Sequence, residues 1–402
     1  MPLPTLLSLV LFGAAVFGLL ALTVQWVCVH IHLRRRAPEP KSLPGISLLK
    51  PLCGVDDDLE TNLASFAALD YGGEWEVVLG VKDTHDAAWP VAQKVVARWP
   101  RRFRLVLQEG APGFNPKVNQ LITLARHARH EVLVVSDSNV RIQPDYLREI
   151  AAYLTQDNVG CVTHAVVGQG EETLGSLMDN THLATSVGAG QIASLVAAGK
   201  PLVVGKSMAL WRADLDALGG FAAMKDYLAE DFVFGVWVRE QLQKRVEVGR
   251  SPVHNYSRKK GVADFFARYR RWGVIHRTSV SLPTSLGQGL LQPGFWALLA
   301  TAMQPTRQTA LGLLAVVLAK LVLDLVQLQA LRPSKMTLQL LGGLLLKDVL
   351  IQFCWLNGFF ERTVDWRGRR LRVGYESRLL GEEPSLEPAL EEEQSVTPSV
   401  ET

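Results

Sequence analysis

The sequence is poor in cysteine and nearly balanced in charge. Among its 402 residues there are four cysteines, and none forms a CxxC pair or a Cys/His cluster with the spacing of a metal site: Cys28, Cys53, Cys161 and Cys354. Neither a disulfide framework nor a zinc site is therefore indicated. The net charge is +3, whereas nucleic-acid binding usually needs a concentrated basic face. Composition thus gives no support for a nucleic-acid partner.

Charged residues are absent from the first 29 positions. The run from Leu6 to Val29 is long enough to cross a hydrocarbon core of about 30 Å as a helix, so residues 1–33 are predicted to be a transmembrane anchor. A cleaved signal peptide is the alternative, but such peptides start with positive charge and have an apolar core of about 7 to 15 residues. Three arginines follow at 34–36, and Lys and Arg favour the cytoplasmic side. The next domain is therefore expected in the cytosol.

Residues 38–280 alternate short β-rich runs with amphipathic stretches. The strand-like runs are Ile46 to Lys50, Glu76 to Val81, Phe103 to Leu107 and Val132 to Ser136. This alternation predicts an α/β domain with a largely parallel sheet. Ligands of such sheets bind beyond the carboxyl ends of the strands, and the residues found there are acidic.

Apolar composition returns after residue 280. Residues 281–361 contain three apolar blocks, which we expect to form membrane or interface helices: Leu286 to Met303, Leu311 to Leu331 and Leu338 to Phe360. Four ionisable residues interrupt the last two blocks, and pairing between helices is the expected reason: Lys320, Asp324, Lys347 and Asp348. Residues 362–402 comprise a basic strip and an acidic tail, predicted to be disordered. The basic strip favours a cytosolic C-terminal part and therefore two C-terminal crossings. If all three apolar blocks crossed the membrane, the strip would lie on the outer side.

Acidic side chains follow two of the predicted strands. Asp83 comes just after a strand and can accept a hydrogen bond from the uracil N3–H of a nucleotide, although a simple turn residue is the alternative. Asp137 ends a fully apolar strand, with Asn139 two residues further on. Their oxygens can hold Mg²⁺ or Mn²⁺ against a diphosphate. A local cap or turn is the alternative for Asp137.

Two later signals complete the pattern. Glu230 and Asp231 stand at the head of a predicted helix, and one of these carboxylates can act as general base on an acceptor hydroxyl, although acidic residues also favour a helix amino terminus. Arg268 and Arg271 share a face of the next predicted helix, where they can neutralise a diphosphate while Trp272 covers the site. A basic amphipathic helix at the membrane surface is the alternative reading of that segment.

The order of these signals is typical of processive and lipid-directed glycosyltransferases of the GT-A type. Over nearly its full length the chain resembles ceramide glucosyltransferases, including their bacterial relatives. The matching strings are PGISLLKPL at 44–52, GVD at 54–56, NPKVN at 115–119, DS at 137–138, ED at 230–231 and WRGRR at 366–370.

The resemblance implies a GT-A domain with a Rossmann-like mixed sheet, anchored in a membrane, which in a bacterial member is the inner membrane. It implies inverting transfer of glucose from UDP-glucose to the primary hydroxyl of ceramide. Carried over by position, Asp83 contacts the nucleotide, Asp137 the metal and diphosphate, and Asp231 is the base. Arg268, Arg271 and Trp272 form the diphosphate motif, Lys117 and Asn119 line the donor pocket, and residues 205–207 lie near the acceptor sugar site.

The acceptor is the least determined part of this hypothesis. The Gly- and Ala-rich stretch at 168–198 departs from the animal members of the family. A hopanoid lipid with UDP-N-acetylglucosamine as donor is the alternative to ceramide, because the resemblance extends to a bacterial branch that carries out that chemistry. A transporter or scaffold with a degenerate transferase domain is a different class, which the intact motifs oppose. A polysaccharide synthase shares the RxxRW pattern, but the membrane portion is small for a polymer channel.

Overall fold

The computed structural model describes residues 2–366 and 369–382. In chain order the helices are α1 (Leu3–Arg34), α2 (Leu59–Ala64), α3 (Ala88–Arg98), α4 (Pro116–His127), α5 (Tyr146–Leu154), α6 (Leu174–His182), α7 (Ala189–Ala198), α8 (Arg212–Ala217), α9 (Glu230–Glu240), α10 (Val262–Ser279), α11 (Leu282–Gly289), α12 (Pro293–Met303), α13 (Arg307–Leu331) and α14 (Leu338–Phe360). A π-helical segment, Leu183–Gly188, joins α6 to α7.

The strands are β1 (Ile46–Pro51), β2 (Trp75–Val81), β3 (Phe103–Leu107), β4 (Val132–Val135), β5 (Val140–Arg141), β6 (Val159–Gln169), β7 (Met208–Trp211), β8 (Arg245–Tyr256), β9 (Thr363–Trp366), β10 (Arg369–Val373) and β11 (Leu379–Glu382). The first eight form one sheet in the order β3-β2-β1-β4-β7-β6-β8-β5. Strands β3, β2, β1 and β4 are parallel, and β7 runs antiparallel to both of its neighbours. The predicted strands are all present, and the sheet is mixed.

The central strands are buried on both faces, which explains their continuous apolar sequence. Alternate side chains point to opposite faces. Leu48 and Val134 belong to the hydrophobic core on one side of the sheet, while Leu49 and Val135 belong to the core on the other. Helices cover both sides, and the carboxyl ends of β1, β2 and β4 are left at one edge.

Three helices are long and apolar enough to cross a membrane: Leu3–Arg34, Arg307–Leu331 and Leu338–Asn357. The predicted N-terminal membrane helix and C-terminal apolar helices are confirmed. The shorter apolar helix α12 lies beside the first half of α1, where Ser8 Oγ donates a hydrogen bond to Ala300 O at 2.9 Å. The predicted pairing of ionisable residues is also observed, since Lys320 and Lys347 of α13 and α14 both contact Asp324.

The end of the described chain packs against the α/β domain. Strands β9, β10 and β11 form an antiparallel sheet, and Leu228 N donates to Ser377 O at 2.9 Å in front of α9. Because this small sheet and the α/β domain touch, we expect them to lie on the same side of a bilayer, with an even number of crossings between them. Part of the basic strip, residues 367–368, and the acidic tail beyond Glu382 lie outside the described residues.

Candidate functional site

A cavity of about 1590 Å³ lies at the carboxyl ends of β1 and β4 and continues to the long apolar helices α1, α13 and α14. Eight of the nine predicted site residues line it: Lys117, Asn119, Asp137, Asn139, Asp231, Arg268, Arg271 and Trp272. Residues that are far apart in the sequence therefore converge on one space.

Asp83 is not among the described residues that line this cavity. Its side chain is 49% exposed just beyond β2, and its Oδ1 accepts a hydrogen bond from His85 N at 2.9 Å. This is the local bonding of a turn residue, while the preceding Lys82 does line the cavity. The predicted contact of Asp83 with a nucleotide stays a prediction.

Asp137 is surrounded by ammonium groups. Its Oδ1 lies 3.0 Å from Lys117 Nζ and its Oδ2 lies 3.1 Å from Lys206 Nζ. Burial opposes ionisation of this carboxyl, but Lys117 and Lys206 together hold the pKa of Asp137 below its ordinary value. Asp137 is therefore a carboxylate at neutral pH.

The geometry around Asp137 fits the predicted metal ligands. Lys206 Nζ also donates to Asn139 Oδ1 at 2.9 Å, so a carboxylate oxygen and an amide oxygen converge on a single cationic atom. Oxygens of these two kinds are what hard divalent cations bind, and Mg²⁺ is often held by one or two carboxylates plus substrate phosphates. Within the described ranges, no group of three or more His, Cys, Asp or Glu residues is placed to hold a metal. An ion here would need further ligands from substrate or water.

The NPK sequence builds the start of α4. Asn115 Oδ1 accepts hydrogen bonds from the backbone of Lys117 at 2.9 Å and Val118 at 3.1 Å, a side-chain N-cap, and Pro116 occupies the first turn. Asn115 Nδ2 donates to Glu230 Oε2 at 3.2 Å. The motif thus ties the head of α4 to the head of α9 and directs the Lys117 side chain between Asp137 and Glu230.

The side-chain amide of Asn119 is bonded to the loop before α4. Its Nδ2 donates to Gly113 O at 2.8 Å, and its Oδ1 accepts from Gly113 N at 3.0 Å. Both ends of the amide therefore fix the loop before α4. Asn119 lines the cavity while shaping its wall.

Two adjacent carboxylates stand at the head of α9. Glu230 is buried, and its Oε1 lies 2.9 Å from Lys117 Nζ. Burial raises the pKa of Glu230, although Lys117 counteracts it. Asp231 is half-buried, and its Oδ2 and Oδ1 accept hydrogen bonds from Gly205 N at 2.5 Å and Phe232 N at 2.8 Å. Asp231 takes part in none of the ion pairs found among the described residues, and its side chain lines the cavity.

The RxxRW segment lies on α10. Arg268 Nη1 donates to both carboxylate oxygens of Asp179, at 3.0 and 2.8 Å. Arg268 also lies over the ring of Trp272, 5.1 Å from its centroid. Burial, together with the nearby Arg268, lowers the pKa of Arg271 to about 10, so Arg271 still carries its charge at neutral pH.

Sequence reasoning missed Asp179. This fully buried carboxylate also accepts from Tyr269 OH at 2.9 Å and lies 3.2 Å from Lys260 Nζ. Burial opposes its ionisation, but Arg268 and Lys260 lower the pKa of Asp179 to about 2. A signal was available, because Asp179 is the only Asp, Glu, Lys or Arg residue between positions 173 and 199.

Lys206 occupies a place that sequence reasoning did not give it. We expected residues 205–207 near the acceptor sugar site, yet the Lys206 ammonium bridges Asp137 and Asn139. The preceding Gly205 borders the same centre, since a Cβ there would overlap Lys117 Nζ and lie 3.2 Å from Asp231 Oδ2.

Similar proteins share both sequence and fold with this chain. Ceramide glucosyltransferase 3 from Caenorhabditis elegans is 24% identical over 361 residues, which cover 87% of this chain and 77% of that protein. Ceramide glucosyltransferase 1 from the same organism is 29% identical over 241 residues, covering 58% and 50%. A mannosyltransferase from Pyrobaculum calidifontis, solved in complex with GDP-Man and Mn²⁺, superposes with a TM-score of 0.53 at 18% identity, covering 89% of this chain and 98% of that one.

These findings confirm the resemblance to ceramide glucosyltransferases, the GT-A fold and the assignment as a sugar-transferring enzyme; a bacterial origin stays a prediction. The sequence model of glycosyl transferase family 21 matches residues 9–379, nearly the whole described chain. The chain therefore belongs to glycosyl transferase family 21.

Proposed function

We propose that the chain transfers glucose from UDP-glucose to the primary hydroxyl of ceramide, with inversion at the anomeric carbon, on the cytosolic face of a membrane. One observation carries the proposal: a single cavity joins the carboxylate of Asp231, a set of cationic side chains and the membrane helix α1. The names of the similar proteins from C. elegans support the choice of substrates.

The donor half of the cavity is built for a diphosphate. Lys206, Lys260, Arg268 and Arg271 all line it, and positioned cations stabilise the charge that develops on a departing phosphate. Asp137 and Asn139 would hold Mg²⁺ or Mn²⁺, which when bound neutralises the leaving diphosphate as a Lewis acid. The uracil contact is assigned to Asp83, at the open edge beyond β2.

The transfer step uses Asp231. Its carboxylate takes the proton of the lipid hydroxyl while that oxygen bonds to the anomeric carbon, and the bond from this carbon to the phosphate oxygen breaks, so UDP leaves with the electron pair. The hydrogen bond from Gly205 N fixes the carboxylate. Glu230 is less suited to this role because Lys117 and Asn115 already occupy its oxygens.

The acceptor half of the cavity reaches α1 and α7. Leu22, Gln25, Gly190 and Ala193 line this part, which gives the apolar chains of a lipid a place beside a candidate membrane span. Arg34 to Arg36, at the domain side of α1, support the cytosolic orientation.

Replacing Asp231 tests the assignment. Asp231→Asn is expected to lower turnover about 10²- to 10⁴-fold, the usual contribution of a general base, while UDP affinity measured by calorimetry stays near that of the unmodified protein. Glu240→Gln, an exposed acid in the same helix, is the matched control and should keep full activity. Loss of UDP binding in Asp231→Asn would instead give this residue a donor-site role.

A further inference from the structure

Lys206 is a buried cation at the position predicted for a metal. Its side chain is only 8% exposed, it lines the cavity, and its ammonium lies within 3.1 Å of both Asp137 Oδ2 and Asn139 Oδ1. A divalent ion bound by these same two oxygens would need the space that the ammonium occupies. The two cations are therefore alternatives for one place.

The surrounding charges add to this exclusion. Asp137 Oδ1 lies 3.0 Å from Lys117 Nζ, while Oδ2 lies 3.1 Å from Lys206 Nζ. Two ammonium groups thus contact one carboxylate, with the carboxylates of Glu230 and Asp231 nearby. An added ion of charge +2 would meet repulsion from both ammonium groups unless further negative charge arrived with it.

A nucleotide diphosphate brings that negative charge. Its oxygens would bind an ion at Asp137 and Asn139 and would also accept hydrogen bonds from the displaced ammonium, because Lys is a common phosphate ligand. Lys260 and Arg268, which line the same cavity, already have Asp179 as a partner. Lys117 contacts Asp137 as well, but Lys206 contacts both predicted metal ligands, Asp137 and Asn139.

We propose that Lys206 holds the divalent-ion position in the nucleotide-free protein and releases it only when a nucleoside diphosphate accepts its ammonium. This inference rests on the proposed function, since it takes the donor to be a nucleotide sugar. Its consequence is coupled binding: the metal enters together with the nucleotide, and the protein alone has little affinity for the ion.

The test measures Mn²⁺ binding to the full purified chain by the electron paramagnetic resonance signal of the free ion. Without nucleotide, Lys206→Met should bind Mn²⁺ about ten-fold or more tighter than the unmodified protein, a change of the size that groups around metal ligands produce. Lys200→Met, at an exposed lysine of the same loop, should match the unmodified protein. Lys206→Arg keeps the charge and should restore weak binding.

Adding UDP separates this inference from the proposed function. Saturating UDP should raise the Mn²⁺ affinity of the unmodified protein. The difference in Mn²⁺ affinity between this protein and Lys206→Met should then become smaller. Equal Mn²⁺ affinity of the two proteins without nucleotide would overturn the role of Lys206, even if UDP binds. Absence of any UDP binding by the unmodified protein, with or without Mn²⁺, would overturn the proposed function instead. If Lys206→Met fails to fold, Lys206→Gln is used for the same measurements, with the same expected results.

Discussion

At the residue level, the environment separates side chains that look alike in the sequence. Glu230 and Asp231 are neighbours, yet Glu230 is tied to Lys117 and Asn115, whereas Asp231 faces the cavity with backbone partners. The sequence analysis placed Asp137 after a strand and Asp231 at the start of a helix, and both lie there in the structure. Such positions can be recognised from the local sequence alone. It did not reveal that Lys206 would reach Asp137, a contact between residues 69 positions apart.

Asp179 is predicted to position the cations of the donor site. Asp179→Asn leaves Arg268 and Lys260 without their buried counter-charge, a change that typically costs about 3–5 kcal/mol of stability, and it should raise KM for the UDP-sugar more than it lowers kcat. Asp179→Glu should restore part of the lost stability and part of the affinity for the UDP-sugar. A variant with unchanged kinetics and unchanged melting would contradict this role, and Asp157→Asn, at an exposed ion pair, is the control.

The same carboxylate predicts a pH dependence. Its pKa is about 2 in the folded protein against an ordinary value of 3.8, so the folded state binds the proton less tightly than the unfolded chain. The resulting stabilisation is complete above about pH 4 and is lost as the pH falls toward 2. The difference in unfolding free energy between the unmodified protein and Asp179→Asn should therefore shrink over this window, as followed by tryptophan fluorescence. A constant difference would exclude a charged Asp179.

Gly205 is predicted to tolerate no side chain. A Cβ would overlap Lys117 Nζ and crowd Asp231, and misplacing a catalytic group by about 1 Å can cost about 10²-fold in rate. Gly205→Ala should therefore lower kcat by up to that factor while the protein stays folded. Gly287→Ala, where a Cβ would meet no atom within 4 Å, should leave the rate unchanged.

At the element level, α1 is part of the active structure as well as an anchor. Ala15 of α1 packs with Ala297 of α12 and Val316 of α13, while Leu22 and Gln25 of α1 line the cavity. The long apolar run made α1 predictable, and short apolar, β-rich runs made the strands predictable. The π-helical link after α6 and the mixed order of the sheet depend on packing between distant segments, which no local pattern encodes.

The close approach of α1 to the α11–α12 connection gives a stability prediction. A Cβ on Gly18 would overlap Leu290 O, whereas one on Gly13 would meet nothing within 4 Å. Gly18→Leu should destabilise the protein by about 1–3 kcal/mol, the usual effect of overpacking, and Gly13→Leu should not. Equal melting temperatures in detergent for the two variants would show that α1 is held loosely.

On the scale of the whole molecule, contacts restrict the membrane topology more than length does. The first half of α13 lies beside the first half of α1, since a Cβ on Gly312 would be 3.0 Å from the Phe12 ring. Its far end meets the α/β domain, where Arg332 pairs with Glu171 at 2.8 Å. Both ends of α14 also lie on that domain, near Leu177 and Gly273. From these contacts we expect the α11–α12 pair and α13 to supply the two crossings, and α14 to stay on the domain side.

Cysteine labelling tests this topology. In a background with Cys53 replaced by serine, Lys335→Cys and Tyr375→Cys should react with a membrane-impermeant maleimide from the same face, and Thr306→Cys from the opposite face; all three positions are exposed. If Lys335→Cys reacted from the same face as Thr306→Cys, α14 would cross the bilayer.

The product of the reaction tests the central claim most directly. The purified protein in lipid nanodiscs is incubated with UDP-glucose or UDP-N-acetylglucosamine and with ceramide, diacylglycerol or a hopanoid, and products are identified by mass spectrometry and anomeric NMR. We predict β-linked glucosylceramide and an equal amount of UDP, both abolished by Asp231→Asn. Formation of an N-acetylglucosaminyl hopanoid would support glycosyl transfer but show that the substrates are not UDP-glucose and ceramide. An α-linked product, or no glycolipid with any pair, would contradict the account.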